Sequence, residues 1–444
     1  MGELFERGEL GESLPVGEPA RAKGAVRLRS PQRQQVEMRF ASLDELLPAD
    51  HQARAVWTLV SKLDLSRWLA RIKAVEGEVG RDATAPQLLV ALWVYATLEG
   101  IGSAREIERL CQLHLAFQWL CGSVSVNYHL LADCRSKYAQ EWDELLTQVV
   151  ATLRAQGLVT MNRVAQDGMR VRASAGKSSF RRHETLARHL AEAREQVAEL
   201  RRLAEESPSE LPRRAQAARE RAAADRAQRL EAALEQCEQL QQQREQRQRK
   251  SGAPGSEARA STTDGEARVM QFSDHGYRPG YNVQFCTDTA SGVIVGVDVT
   301  NQGSDAQQLP PMLDQLERRY GQLPTEALVD GGFASKQAIE DAHQRGCLVF
   351  APLKEEQRQL KAGRDPYQPK PGDSAALAQW RQRMGQPASQ LVYRLRAQVA
   401  EWVNAGARNR AMQQLPLRGQ VKCRILATIQ AITHNLQIAK RAWA

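Results

Sequence analysis

Three acidic residues in this 444-residue chain stand where carboxylates can reach a metal ion. Asp167 in VAQDGMRV and Asp330 in ALVDGGFA each fall where a strand-like run gives way to a glycine turn. Glu401 is the only acid between Ser374 and Ala444, a stretch that carries 11 lysines and arginines. Solubility is a poor reason for one acid in so basic a segment. Phosphodiester chemistry needs charge stabilisation at both the attacking and the leaving oxygen, which two magnesium ions about 4 Å apart supply. Magnesium takes hard carboxylate oxygens. Two aspartates at neighbouring strand ends, with a glutamate on a helix packed over them, would make such a cage, so the chemistry predicted is the cutting or joining of a phosphodiester backbone. Arg394 and Arg408 lie seven positions before and after Glu401, which returns both to its helix face after two turns. From there they can hold phosphates. Taken singly, each acid has an ordinary alternative: an Asp before Gly is a common turn residue, and a helix Glu among arginines is commonly a solvated ion-pair partner.

The elements that would bring these residues together are legible in the pattern. Residues 1–40 are rich in Gly, Pro, Arg and Gln with little periodicity and read as a flexible arm. Residues 41–157 are helical throughout; Leu88, Leu89, Leu92, Tyr95 and Leu98 fall at helical spacing and GIGS punctuates the run. A β-rich run carrying Asp167 ends near Ala173. It is followed by Leu186, Leu190, Ala193, Val197 and Leu200, and then, past Pro208 and Pro212, by Ala223, Ala227, Leu230, Leu234 and Cys237. That 4-3-4-3 spacing predicts two helices folded into an antiparallel hairpin, inserted over 183–268 with its linker. Self-packing, dimerisation and clamping of a DNA end all remain open for it.

Strands resume with YNVQFCTDT and VIVGVDVTN as a hairpin. A helix from Ala306 to Tyr320 with Asp305 as N-cap follows, then a strand ending on Asp330, a helix ending on Gly346 and the strand CLVFAPL. Lys354 to Gln390 reads as an irregular excursion, and Leu391 to Met412 as the helix that carries Glu401. The order predicts an α/β core with a mixed sheet flanked by helices over 158–182 and 269–412, interrupted by the insertion, with a basic helical tail over 413–444.

Composition sets the class. With 61 Lys+Arg against 52 Asp+Glu the chain is basic, and the excess lies at the C-terminal end: residues 181–250 hold 16 basic and 13 acidic residues and nearly balance. An anionic partner follows, with Arg418, Lys422 and Arg424 around Gly419 as candidate phosphate contacts. No run of 18 apolar residues and no signal-peptide core occur, which excludes a membrane protein of the helical type and points to the cytoplasm. Seven scattered cysteines without a CxxC pair argue against a disulfide framework or a zinc site. His129, Asp133 and Arg135 in NYHLLADCR fit helix packing or a helix contacting DNA better than a metal site. His434 in THNL is read as a cap of the final helix.

Several long blocks, in order, resemble the DDE transposases of bacterial insertion sequences. VAQDGMRVRASAGKSSFRR is similar to that family's first-aspartate block. STTDGEARVMQFSDHGYRPGYNVQFCTDTASGVIVGVDVTNQGSD is similar to its β-hairpin block and ALVDGGFAS to its second-aspartate block. YRLRAQVAEWVNAGARNRAMQQLPLRGQVKCR is similar to its terminal Tyr-Arg-Glu-Lys region, and residues 50–138 are similar to its N-terminal domain. The resemblance implies an RNase H-like catalytic core with an all-α N-terminal DNA-binding domain. It makes Asp167, Asp330 and Glu401 the catalytic, metal-binding acids, with Mg2+ or Mn2+, two ions, as cofactor. Tyr393 and Arg396 become the flanking Tyr and Arg at the DNA, and Arg408 replaces the expected lysine with a planar fork. It further implies double-stranded DNA, both element ends and target, as partner, a homodimer or higher assembly on DNA, and cleavage at terminal repeats followed by strand transfer. The alternative is a catalytically inactive or domesticated relative that acts only as a DNA-binding protein.

Overall fold

The computed structural model describes residues 40–77, 81–206, 213–251 and 257–443. The expected arm at residues 1–40, the breaks at Pro208 and Pro212 and part of the hairpin linker lie outside them. Residues from Leu43 onward form one unit.

The N-terminal part of that unit is helical: α1 (Leu43–Leu46), α2 (Gln52–Val60), α3 (Ser66–Leu69), α4 (Pro86–Leu98), α5 (Ala104–Leu113), α6 (Leu115–Cys121), α7 (Tyr128–Lys137) and α8 (Ala139–Ala155). Pro86 opens α4 at a position where its missing N–H costs nothing. From Leu88 to Ala96 every residue of α4 is buried, so this helix is enclosed on all sides rather than laid on a surface. Two large aromatics keep their polar ends satisfied inside: Trp93 Nε1 donates to the Leu131 carbonyl and Trp142 Nε1 to that of Cys134, each at 3.0 Å. In the NYHLLADCR segment, Arg135 is buried and donates to the Gly102 carbonyl. That is helix packing.

The chain then enters β1 (Arg163–Arg172) and the short β2 (Phe180–Arg181), and leaves through α9 (His183–Glu206) and α10 (Arg213–Ser251). Leu186, Leu190, Ala193, Leu230, Ala233 and Cys237 bury against one another in a small core of their own. Ion pairs Arg194–Glu231 at 2.6 Å and Arg201–Glu220 at 3.1 Å cross between the two helices, with the later partner falling earlier in α10, as antiparallel packing requires. The chain returns through β3 (Ala260–Ser261), which pairs antiparallel with β2.

The sheet is completed by β4 (Arg268–Gln271), β5 (Tyr277–Asp288), β6 (Ile294–Thr300), β7 (Glu326–Leu328) and β8 (Leu348–Phe350). β5 is the hub. It pairs antiparallel with β1 on one side and with β4 and then β6 on the other, while β7 and β8 extend the sheet from β1 in parallel. Four antiparallel strands, β4 and β6 sharing one side of β5, followed by two parallel ones and flanked by helices, fit an RNase H-like core. The connecting helices are α11 (Leu309–Tyr320), α12 (Lys336–Gln344), α13 (Glu356–Lys361), α14 (Ala375–Met384), α15 (Pro387–Asn409) and α16 (Gln420–Trp443).

Three local expectations change. α11 starts at Leu309, because the Asp305 carboxylate is occupied by Asn282 and Gln284 on β5 and does not cap it. The stretch from Lys354 to Gln390 contains α13 and α14, the latter capped by Ser374. His434 lies in the middle of α16, not at its end, and is buried against the Gly292 carbonyl, with Nε2 at 3.0 Å. α16 is itself a core helix: Ile425, Ile429, Ile432 and Leu436 are buried in the same apolar cluster as α4, α8 and the sheet. Its Asn435 takes the Ile294 N–H and donates to the Ile294 carbonyl, both at 2.8 Å, and Gln315 of α11 does the same for Val297 at 2.9 Å. These two amides give the open edge of β6 the partners that a further strand would have supplied. Among the described residues no helix is long and apolar enough to cross a membrane.

Candidate active site

β1 and β7 run parallel and adjacent, with Ala165 opposite Leu328. This register brings Asp167, two residues further along β1, close to Asp330, two residues beyond the end of β7. α15 lies across β1 and presents Arg396, Ala400, Asn404 and Ala407, a face repeating at four and three residues. Arg396 reaches both aspartates: one guanidinium nitrogen is 2.7 Å from Asp167 Oδ1 and 3.8 Å from Asp330 Oδ2. Asn404 Nδ2 donates to Asp167 Oδ2 at 2.8 Å. Both oxygens of Asp167 are thus held from the same helix.

The electrostatics follow from burial. Asp167 has its carboxyl pKa raised above the ordinary value, first by desolvation; Arg396 opposes the shift, and the charges of Asp330 and Asp305 add to it. Tyr393, one turn before Arg396, is also shifted up by burial, again opposed by Arg396. Negative charge is therefore crowded at a half-enclosed point, with Arg396 set between Asp167 and Asp330 and Arg170 at 3.5 Å from Asp305. The opposite face of β1 is a buried polar layer. Gln166 donates to Gln284 at 3.0 Å, while Asn282 and Gln284 donate to Asp305 Oδ1 at 2.6 and 2.8 Å. Gly168 leaves room for it, since a Cβ there would collide with Asp305, Gln284 and Asn282.

Glu401 is exposed on the flank of α15, about 60° around the helix from Asn404. Arg394 and Arg408 are exposed too and share its stripe. Among the described residues no three His, Cys, Asp or Glu side chains are close enough to hold a metal ion. The rotation of α15 is fixed one residue later. The Trp402 ring packs on the His434 ring at 4.7 Å and over Gly292, where a Cβ would sit 2.5 Å from the indole and where φ of +75° favours glycine anyway. Of the C-terminal cations, Arg418 and Lys422 are exposed. Arg424 is engaged inside the molecule, at 3.5 Å from Asp143 of α8 and 3.7 Å from Asp298 of β6.

Sequence reasoning missed Asn404 and Asp305. Asn404 had a signal: it is a polar residue in a stripe of Ala400, Val403 and Ala407, eight positions after Arg396. Asp305 had none, because its partners are brought to it by strand register.

The two aspartates are part of the donor set a hard divalent cation would need, without a third carboxylate beside them among the described residues. Two carboxylates from adjacent parallel strands share one positive group, and Oδ1 of the same Asn404 amide is buried with no hydrogen-bond partner. The family described as Transposase DDE domain matches residues 246–436, which include Asp330 and Glu401, and the family described as Transposase domain (DUF772) matches residues 41–137, the helices α1 to α7. No curated protein and no solved structure matches the chain. With two transposase families matched in order over well over half its length, the chain belongs to the DDE-type transposases of insertion sequences.

Proposed function

We propose that this transposase binds the terminal inverted repeats of its insertion sequence and catalyses metal-dependent strand cleavage and strand transfer, with Asp167, Asp330 and Glu401 as the metal-binding acids. The observation that carries the reading is the Arg396 bridge: a cation already stands between the two aspartates, on the helix that bears Glu401. Mg2+ or Mn2+, as two ions, would stabilise the attacking and leaving oxygens of an in-line displacement. Asp167 and Asp330 would hold them from the sheet, and Glu401 would supply the third carboxylate from the flank of α15. Asn404 keeps the Asp167 carboxylate oriented, and Arg396, released from the aspartates, is placed to neutralise a non-bridging phosphate oxygen.

Two displacements at phosphorus account for the activity. In the first, a water oxygen bonds to the phosphorus at the element's end, the bond to the 3′-oxygen breaks, and that oxygen takes up a proton as a 3′-hydroxyl. In the second, this hydroxyl loses its proton and bonds to a target phosphorus, and the target strand's own 3′-oxygen leaves. The helices within 41–157 and the exposed cations ahead of and at the start of α16 would meet element-end DNA, with Arg394, Arg408, Arg418 and Lys422 as phosphate contacts. A homodimer or larger assembly would form on DNA in the cytoplasm.

The exposure of Glu401 away from the aspartate pair favours the second reading, a relative that binds DNA without cutting it. Incubating the protein and Mg2+ or Mn2+ with duplex carrying its own flanking repeats separates the two. Nicking and joining are expected, and Asp167→Asn, Asp330→Asn and Glu401→Gln should each lower the rate by more than about 100-fold while still binding the duplex, since even outer partners of a metal ligand are worth about 10- to 100-fold. A wild-type protein that binds the repeats but never nicks them would establish the second reading.

A further inference from the structure

The inserted hairpin does not lie flat on the sheet. Between α10, the β2–β3 ribbon, the edge strand β4 and the loop after β6 it leaves a cleft of 1080 Å³. Among the described residues five cations line it, Lys177, Arg182, Arg244, Arg259 and Arg268, against one acid, Glu257, which is already held by Arg182 at 3.0 Å. Arg268 is half-buried, and its Nη1 has no hydrogen-bond partner. Burial and the neighbouring Arg244 push its pKa down to about 10, the direction expected of a guanidinium held in a positive field. Tyr277, on the sheet side, is 55% exposed. Such a lining repels cations and has too few acids for a metal. It suits a chain of phosphates.

The cleft is also tied to the catalytic strand. Arg170, three residues past Asp167 on β1, donates to the Gly303 carbonyl in the cleft's own loop at 2.9 Å. From Asp167 to Arg172, where β1 meets the β4 end of β5, the strand runs about 17 Å. That is the span of about five base steps of DNA.

We infer that the cleft between the inserted hairpin and the edge of the sheet binds the phosphodiester backbone of the DNA whose end is at the active site, about five base pairs from the bond that is cut. The inference rests on the transposase reading for the identity of its ligand. Its lysine and arginine contacts carry no base readout, so it contributes affinity and register, not sequence preference.

The test uses full-length protein and two 40-base-pair duplexes of about that length, one carrying the element's own end and one unrelated. Lys177→Ala and Arg259→Ala are both exposed lining positions, so their removal leaves the packing intact. The expected result for the double variant is equal weakening on both duplexes, a fall of about 2 in the slope of log affinity against log salt, and loss of hydroxyl-radical protection about five base pairs from the nick. An unchanged slope and footprint would overturn the inference. So would a change in oligomeric state without DNA and with the slope intact, which would make the cleft a contact between copies of the chain. Asp167→Asn in parallel keeps the outcomes apart: a failed transposase reading abolishes nicking in the wild type and leaves the salt slopes to report on the cleft alone.

Discussion

At the scale of single residues, Asp167 carries a cost that the metal would remove. Its pKa is raised in the folded protein, so folding favours its neutral form: the corresponding stability is fully present below the unfolded value of 3.8 and is lost as pH rises through the elevated folded value. Asp167→Asn should therefore gain stability relative to wild type as pH rises from about 3 toward neutrality, followed as melting temperature against pH. Magnesium or manganese should then raise the wild-type melting temperature at neutral pH and leave Asp167→Asn unmoved. An equal response of both proteins would separate this carboxylate from any cation site. Asn404→Ala tests positioning: about a 10- to 100-fold loss in metal affinity or nicking rate is expected with the fold intact. That Asp167 and Asp330 would come together could be expected from the sequence, because strand-to-glycine junctions are local signals, whereas a lone acid in a basic run says nothing of the exposed flank of α15 on which Glu401 lies. The Arg396 bridge needed the register of β1 against β7, which no local pattern encodes.

At the scale of elements, α16 explains why the basic C-terminal segment cannot be read by charge alone. Its cations sit toward its ends, whereas the run between them, Ile425 to Asn435, is core. Helical periodicity is weak there because α16 is sandwiched between β6 on one side and α4 and α8 on the other, so more than one face is apolar. Asn435→Ala would strand the N–H and the carbonyl of Ile294 in the core and should cost about 2–4 kcal/mol in urea unfolding. His434 gives the same helix a pH response. Burial lowers its pKa to about 4, and Arg410 and Arg441 push in the same direction. Its contribution is present above the unfolded value of 6.5 and is lost as pH falls toward 4, amounting to about 3 kcal/mol. Because the Trp402 ring rests on His434, protonation should loosen α15 first, read out as a change in Trp fluorescence ahead of global unfolding between pH 6 and 4. His434→Phe should flatten that change.

At the scale of the whole molecule, the described residues form two hydrophobic cores of unequal standing. The larger runs without a break from α2 and α4 through the sheet to α16. The smaller belongs to the hairpin. Their separation has a counterpart in the sequence, where a helical pair with its own leucine seam interrupts a β-rich pattern; the expected far bound at 268 overshoots, because the chain is back in strand at Ala260. The join between the N-terminal helices and the catalytic core is the opposite case. Each is recognisable by texture, but their shared packing through α16 appears only when the last helix of the chain is placed between them. The consequence for cutting the molecule is asymmetric. A fragment starting at Asn162 would expose the apolar face of α16 and should be insoluble or molten. Removing the hairpin should be tolerated, because Arg181 and Ala260 are direct antiparallel partners in the β2–β3 ribbon. Replacing residues 182–259 by a two-residue Asn-Gly turn would close that ribbon in the geometry such turns favour. The shortened protein should unfold in one cooperative transition and keep its stabilisation by divalent cation, since Asp167, Asp330 and α15 belong to the larger core. Its DNA affinity should fall with a shallower salt slope, because Arg182, Arg244 and Arg259 leave with the hairpin. Loss of the metal response on excision would mean instead that the hairpin braces β1, and that the two cores are coupled through the strand that carries Asp167.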